Sequence, residues 1–258
     1  MTQGAATPGY ERLEAGRCVV VVRSDLVADA RVLLAEGTLY EAAARDLGAR
    51  VLHGRGPVYS IALPVSGTRA VVRRNRHGGL FAPITRDLFL PPTRAPRELA
   101  IANRLIAAGV RTPPVLMYGV VSVGGIARRA DVVTQEIGDS RDLATYMMPG
   151  ESSASRSAAW SAARTLLAGL AKAGVRHPDL NVKNILITAG DSVPHAWVLD
   201  VDVVQFGTPG DEQLVRANTA RLSRSARKWR DERGAVFDGG ELEEFSRVSC
   251  DAATRVEY

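Results

Sequence analysis

The segment that most restricts how this chain can fold is the octapeptide H-P-D-L-N-V-K-N, His177 to Asn184. It is polar and turn-forming, yet it sits directly between two strongly patterned stretches. Before it, Ser155 to Ala173 carries Trp160, Ala163, Leu167, Leu170 and Ala171 at helical spacing, and Gly174 ends the pattern. After it, Asn184 to Thr188 and Trp197 to Val204 read as short apolar strands, followed by a basic helix from Asp211 to about Arg233. A polar loop held at both ends by regular elements is a loop with a defined shape.

The upstream half has a different texture. Residues up to about Tyr10 read as a loose tail, and Cys18 to Val22 as a short strand. Ser24 to Leu34 carries a helical stripe with Ser24 as N-cap, and Glu41 to Leu47 a second short helix. Val51 to Val72 predicts strand, glycine-rich turn and strand, with Ser66-Gly67 as turn chemistry. Pro96 to Ala108 predicts an amphipathic helix closed by Gly109, and Asp131 to Ile137 returns to strand character. No internal repeat is evident. A strand-rich first part and a helix-rich second part predict an α+β chain of two lobes, 1–137 and 138–258, sharing a cleft.

At 258 residues, with 46% apolar residues, the chain can bury a substantial core. The formal charge of +5 suits anionic partners without choosing among nucleotide, nucleic acid, glycolipid and membrane. Cys18 and Cys250 lie far apart without metal-ligand spacing, so neither a disulfide framework nor a zinc site is expected. The first residues lack a basic stretch followed by an apolar core, and no later segment has the length to span a bilayer. These readings predict a cytoplasmic protein.

The chemistry is concentrated in the octapeptide. Phosphoryl transfer needs a carboxylate to orient and deprotonate the attacking hydroxyl, and oxygen ligands to hold Mg²⁺ on the phosphates. The spacing D-x-x-x-x-N supplies both in Asp179 and Asn184. A second acid is then required downstream on a strand. V-L-D-V-D provides Asp200, with Asp202 in reserve, on one face of an alternating stretch whose other face carries Leu199, Val201 and Val203. An isolated aspartate after a helix is usually a turn residue, and His177 alone is usually a packed structural histidine. The ordered set, in its setting of helix and strand, is what points to ATP-dependent transfer.

On these residues the chain resembles the 3-deoxy-D-manno-octulosonic acid (Kdo) kinase branch of the lipopolysaccharide kinase family, itself similar to eukaryotic-type protein kinases. Four segments carry the match: Gly54 to Tyr59 (G-R-G-P-V-Y), Val71 to Leu80 (V-V-R-R-N-R-H-G-G-L), His177 to Leu186, and Asn218 to Ser225 (N-T-A-R-L-S-R-S). The resemblance implies a protein-kinase-like bilobal fold with a strand-rich N-lobe and a compact helical C-lobe. It makes Asp179 the catalytic carboxylate and Asn184 and Asp200 the Mg²⁺ ligands. Gly54 and Gly56 would form an abbreviated phosphate-covering loop, because glycine lets backbone N–H groups approach an anion closely. Arg73 stands where the usual pattern has a lysine, with Glu98 as its helix partner; arginine meets carboxylate and phosphate as a planar fork. Gln135, Glu136 and Ile137 fall where backbone groups would meet adenine.

Three departures from the protein-kinase pattern bear on regulation, acceptor and charge neutralisation in turn. Pro178 replaces the arginine with which many protein kinases sense a phosphorylated activation loop. Ten residues separate Asp200 from Asp211, too few for a peptide-binding segment, and no A-P-E follows. Asn181 stands where many kinases have a phosphate-binding lysine, with Lys183 a partial substitute. The resemblance therefore implies ATP and an anionic glycolipid, a Kdo-lipid A precursor phosphorylated on the Kdo 4-hydroxyl, at the cytoplasmic face of the inner membrane, with no obligate protein partner. A core heptose or an aminoglycoside-like acceptor is the nearest rival, and a non-catalytic nucleotide-binding scaffold a more distant one. Nucleic acid is disfavoured because the basic residues concentrate in one helix without interleaved aromatics. In that helix Leu214, Leu222, Ala226 and Trp229 form the expected buried stripe, leaving Arg221, Arg224 and Arg227 to face an anionic surface.

Overall fold

The computed structural model describes residues 7–52, 56–75, 87–189 and 193–237. Their contacts divide the chain into two units, Met1–Asn103 with Pro114–Glu136, and Arg104–Pro113 with Ile137–Tyr258.

The first unit is built on seven antiparallel strands: β1 (Tyr10–Ala15), β2 (Cys18–Arg23), β3 (Arg50–Leu52), β4 (Val58–Ala62), β5 (Arg69–Arg74), β6 (Val115–Val123) and β7 (Ala127–Gln135). Their order in the sheet is β1-β2-β6-β7-β5-β4-β3. The predicted strand at Cys18 is β2, whose alternate residues Cys18, Val20 and Val22 are buried. The stretch from Val51 to Val72 holds three strands, and β4 and β5 turn through Gly67 at φ 70°. The buried Asp29 carboxylate accepts the Val65 and Ser66 amides at 2.7 and 3.0 Å, so this turn is capped from a distant helix.

That helix, α1 (Val27–Ala35), follows a 3₁₀ turn at Ser24–Leu26. Ser24 makes no side-chain cap, contrary to its sequence context; its amide bonds the Gly9 carbonyl instead. Helix α2 (Leu39–Arg45) begins with a reciprocal capping box between Thr38 and Glu41. Leu39 is buried against β6 at Gly119, where a Cβ would stand 3.3 Å from the Leu39 Cδ1 atom. Glycine in mid-strand weakens the sequence signal for β6, and this close helix approach is its structural use. Burial among these residues pushes the Cys18 thiol to about 11, so it is an inert core residue.

The division between units falls within helix α3 (Ala95–Ala107). The second unit contains β8 (Ser140–Asp142), the short helix α4 (Leu143–Tyr146), α5 (Ser153–Lys172), β9 (Val175–Arg176), β10 (Ile185–Thr188), β11 (His195–Val198), β12 (Gln205–Phe206) and α6 (Glu212–Arg233). Strands β11, β10 and β8 form one small sheet, and β12 pairs with β9 in another. Helix α5 starts at Ser152, whose hydroxyl accepts the Ser155 amide, and buries Trp160, Ala163, Leu166, Leu167 and Leu170. Phe237, just beyond α6, meets the Trp160 ring edge-on at 5.6 Å.

Gly174 joins α5 to the loop that holds His177 to Asn184. It is left-handed at φ 64°, and a Cβ there would stand 2.5 Å from the Gly207 carbonyl oxygen and 2.8 Å from the Pro209 nitrogen. The same contact lets the Gly207 amide bond the Gly174 carbonyl at 2.7 Å. Gly174→Ala combines a positive-φ penalty with a backbone clash, and is expected to destabilise the protein by about 3 kcal/mol. Urea denaturation measures it, and an unchanged midpoint would refute this account of the turn.

Candidate active site

In the second unit the octapeptide forms a loop whose backbone is bonded at nearly every residue. Leu180 N donates to the His177 carbonyl at 3.1 Å and Asn184 N to the Asn181 carbonyl at 3.0 Å. The Asn181 side chain accepts the Lys183 and Asn184 amides at 2.9 and 3.2 Å, while its Nδ2 donates to the Asp179 carbonyl at 2.9 Å. Asn181 is therefore an internal brace, a use of asparagine that its short amide permits where lysine would not. Lys183 is half-exposed, paired with Asp142 at 2.6 Å and 5.7 Å from the centre of the Trp229 ring.

His177 is buried, and its Nε2 lies 2.9 Å from the Leu199 carbonyl oxygen. Leu199 N in turn donates to the Asn184 carbonyl at 2.9 Å. These two bonds tie the loop to the turn that carries Asp200. That turn differs from the alternating strand expected through Val204: β11 ends at Val198, and Asp200 adopts a left-handed conformation (φ 53°, ψ 48°) before a 3₁₀ turn at Val201–Val203. Asp200 and Asp202 consequently do not share a strand face. Val201 goes into the core while Asp200 is exposed. A positive φ at a residue other than glycine is an uncommon conformation that tertiary contacts must hold, here the bonds at Leu199.

Asn184 donates its Nδ2 to the Asp179 carbonyl at 3.0 Å, which leaves Oδ1 as its remaining ligand atom. With the exposed Asp200 carboxylate it offers two hard oxygen donors of the kind Mg²⁺ takes, since that ion completes its shell with water and phosphate. No three His, Cys, Asp or Glu side chains cluster among the described residues, so a cage made by the protein alone is not what they form.

In the first unit Arg73, on β5, reaches Glu98, on α3, through an Nη2 to Oε1 bond, and its Nη1 donates to Asn75 at 2.9 Å. Glu98 is buried, so the pairing expected from the sequence is present and desolvated. Glu136 is also engaged: its carboxylate accepts from Arg50, from Arg69 at 2.9 Å and from the Ser60 hydroxyl at 2.9 Å. Its amide donates to the Arg69 carbonyl at 3.0 Å, and the Gln135 amide to the Pro114 carbonyl at 2.9 Å. In the second unit the Ile137 carbonyl accepts the Ser140 hydroxyl at 2.6 Å. Gly56 precedes β4, whereas Gly54 and the end of the segment from Val71 to Leu80 lie outside the described residues.

Helix α6 holds what sequence reasoning missed. Its buried face is largely small and polar: Val215, Asn218, Thr219, Leu222, Ser223, Ser225 and Ala226. Leu214 and Trp229, expected in the stripe, are only partly buried. The Asn218 amide accepts His177 N at 2.9 Å and donates to the Val175 carbonyl at 2.7 Å, and the Ser225 hydroxyl accepts Val182 N at 3.2 Å. Arg221, expected on the outward face with Arg224 and Arg227, turns the other way. Its Nε donates to the Pro178 carbonyl at 3.1 Å and its Nη2 to the Asp179 carboxylate at 2.7 Å. The only sequence signal for this was the branch-like motif itself, N-T-A-R-L-S-R-S.

The sequence model described as "Lipopolysaccharide kinase (Kdo/WaaP) family" matches residues 49–238. The chain belongs to this family. Curated relatives named 3-deoxy-D-manno-octulosonic acid kinase agree with that assignment. The one from Vibrio vulnificus (strain CMCP6) is 28% identical over 228 residues, 86% of this chain and 91% of the relative. That of Vibrio parahaemolyticus is 32% identical over 180 residues, 68% and 71% of the two chains, and that of Xanthomonas oryzae (strain PXO99A) 32% over 184 residues, 70% of each. A solved structure, "WaaP in complex with acyl carrier protein", covers 90% of this chain and is itself covered to 98%, at 17% identity and TM-score 0.52. That likeness establishes the α+β, protein-kinase-like fold. As a member of the lipopolysaccharide kinase family, the chain is a phosphotransferase of lipopolysaccharide core biosynthesis, with ATP as the implied donor and a glycolipid as acceptor. Among the described residues no helix is long and apolar enough to cross a membrane.

In this kinase His177 has its pKa lowered from 6.5 by burial, partly opposed by the Leu199 carbonyl, Asp200 and Asp179. A group held neutral in the fold takes up its proton first in the unfolded chain, so its stability contribution is full above 6.5 and is lost as pH falls below it. Urea midpoints followed from about pH 8 to about pH 5 are expected to drop more steeply for wild type than for His177→Asn. Equal slopes for the two proteins would refute a buried neutral imidazole.

Proposed function

We propose that this kinase transfers the γ-phosphate of ATP to a sugar hydroxyl, the 4-hydroxyl of Kdo, in a Kdo-containing lipid A precursor. The observation that carries the reading is the double tie at Leu199, which binds the loop bearing Asp179 and Asn184 to the turn bearing Asp200. A base and two metal ligands fixed to one backbone framework are what phosphoryl transfer asks of a protein, because the chemistry is mostly positioning and charge neutralisation. The acceptor is supported by the relatives named as Kdo kinases and by the short span between Asp200 and α6.

Asp179 orients the acceptor hydroxyl and takes its proton as the oxygen attacks phosphorus. Asn184 Oδ1 and the Asp200 carboxylate would hold Mg²⁺, which would supply neutralisation of charge on the ATP phosphates. Arg73, braced by Glu98, is assigned to the ATP phosphates through its guanidinium, and Gly56 to the phosphate-covering turn. Among Gln135, Glu136 and Ile137, the adenine donor is assigned to the Ile137 amide, since the amides of the other two already serve carbonyls of the sheet unit. Asp179→Asn is expected to keep the fold and nucleotide binding and to lower turnover by roughly two to four decades. Asn184→Ala and Asp200→Ala weaken Mg²⁺-dependent binding of an ATP analogue, and Asp202→Ala does so less. Wild-type turnover in Asp179→Asn, or equal phosphorylation of a heptose acceptor lacking Kdo, would sink the reading.

The enzyme meets its acceptor at the cytoplasmic face of the inner membrane. Arg224 and Arg227 are exposed on α6, where each basic side chain near an anionic surface adds about 1 kcal/mol of attraction. The double reversal Arg224→Glu with Arg227→Glu should reduce binding to vesicles containing anionic phospholipid and raise KM for the lipid acceptor, leaving KM for ATP unchanged. Vesicle binding as strong as wild type in sedimentation would remove α6 from the membrane contact.

A further inference from the structure

We propose that Arg221 is the positioning residue of the reaction: it reaches from α6 to hold the Asp179 carboxylate in its working orientation. The inference rests on the reading of Asp179 as the base. Asp179 sits on a loop whose backbone is secured from several sides, since its own carbonyl accepts the side-chain Nδ2 of both Asn181 and Asn184. Those bonds fix the main chain but leave the side chain's rotation open. Among the described residues the Arg221 guanidinium is the side-chain partner that the Asp179 carboxylate has, at 2.7 Å. The same guanidinium is anchored one residue earlier by its Nε bond to the Pro178 carbonyl, so it grips loop and carboxylate together.

The helix supplies the rigidity. Asn218, Arg221 and Ser225 are three and four residues apart, hence on one face of α6, and they contact the loop at its start, at its aspartate and at Val182. Between them Leu222 is fully buried, and Asn218 is nearly so. Asp211 caps the N-terminus by accepting the Gln213 amide, and Gly234, at φ 69°, closes the C-terminus. Arg221 therefore projects from a helix that cannot slide without stranding buried hydrogen bonds.

Magnitude separates positioning from stabilisation. The side chains of Arg221 and Asp179 are 33% and 42% exposed, and ion pairs this open to water contribute little to folding. Misplacing a reacting group by an ångström can cost roughly a hundredfold in rate. Loss of the pair should thus be visible in turnover and nearly invisible in stability.

The test is a double-substitution cycle on the full chain, with ATP, Mg²⁺ and a Kdo-containing lipid A precursor as substrates. Arg221→Gln is expected to lower kcat by roughly 10- to 100-fold, to change KM for ATP by less than about threefold, and to leave the urea midpoint close to wild type. Arg221→Lys, which retains a charge but not the fork, should recover part of kcat. In an Asp179→Asn background the further loss from Arg221→Gln should shrink to less than about threefold, because the residue acts through a group already disabled. Wild-type kcat in Arg221→Gln would overturn the proposal, as would an equal loss in both backgrounds, which would make Arg221 an independent acceptor contact. If Arg221→Gln does not fold, the cycle is run with Arg221→Lys and the same two outcomes decide. Asp179→Asn alone reports on the base: full turnover there overturns the assignment of Asp179, whereas a disabled Asp179→Asn beside an unaffected Arg221→Gln overturns only the role of Arg221.

Discussion

Inside the second unit the side chain of Asn218 bonds the main chain on both sides of the turn into the loop, accepting from His177 and donating to Val175. Both bonds are buried, so breaking either would leave a desolvated polar group at a cost of roughly 1–3 kcal/mol. Everything downstream inherits that constraint. His177, held at its amide, aims Nε2 at the Leu199 carbonyl; Leu199 returns a bond to Asn184 and so sets the left-handed turn at Asp200. Gly174 completes the arrangement from the other side, because only a residue without Cβ lets the 207–209 backbone come so near.

Helix α6 keeps its charges outside but buries polar side chains beside Val215, Leu222 and Ala226 on its inner face. Asn218, Thr219, Ser223 and Ser225 are buried, whereas Arg224, Arg227 and Lys228 are not. Of these, Asn218 and Ser225 bond the non-repetitive loop and its entry, which present amides and carbonyls rather than methyl groups. Such polar networks favour one loop conformation over its neighbours, since each alternative leaves a donor or acceptor unsatisfied.

The sheet unit solves a similar problem with charge. Arg73 and Glu98 are joined across a strand and a helix, and Glu136 gathers Arg50, Arg69 and Ser60 at the end of β7. Arg74 bonds the buried Asp131 carboxylate at 3.0 Å and lies over the Tyr40 ring at 4.4 Å, while Asp131 also accepts the Tyr40 amide. Arginine serves these places because its fork satisfies several acceptors in fixed directions.

Periodicity and spacing made much of this readable from the sequence. Helices α3, α5 and α6 follow their apolar and polar periods, and D-x-x-x-x-N located Asp179 and Asn184 on one loop. Arg73 and Glu98 were legible as a pair through the family resemblance alone, since nothing local joins positions 25 residues apart. Elsewhere local pattern failed. Strand β1 has a charged, half-exposed sequence, β6 carries a glycine, and the alternation through V-L-D-V-D continues past the point where Asp200 turns left-handed. The sequence by itself thus determined the class of fold, the shared loop of Asp179 and Asn184 and the basic helix α6. Only the tertiary structure decided which arginine of that helix faces inward. Helical phase places Arg221 and Arg224 in neighbouring positions, and which one meets Asp179, 42 residues before Arg221, depends on how α6 is rotated by Asn218 and Leu222 against the loop.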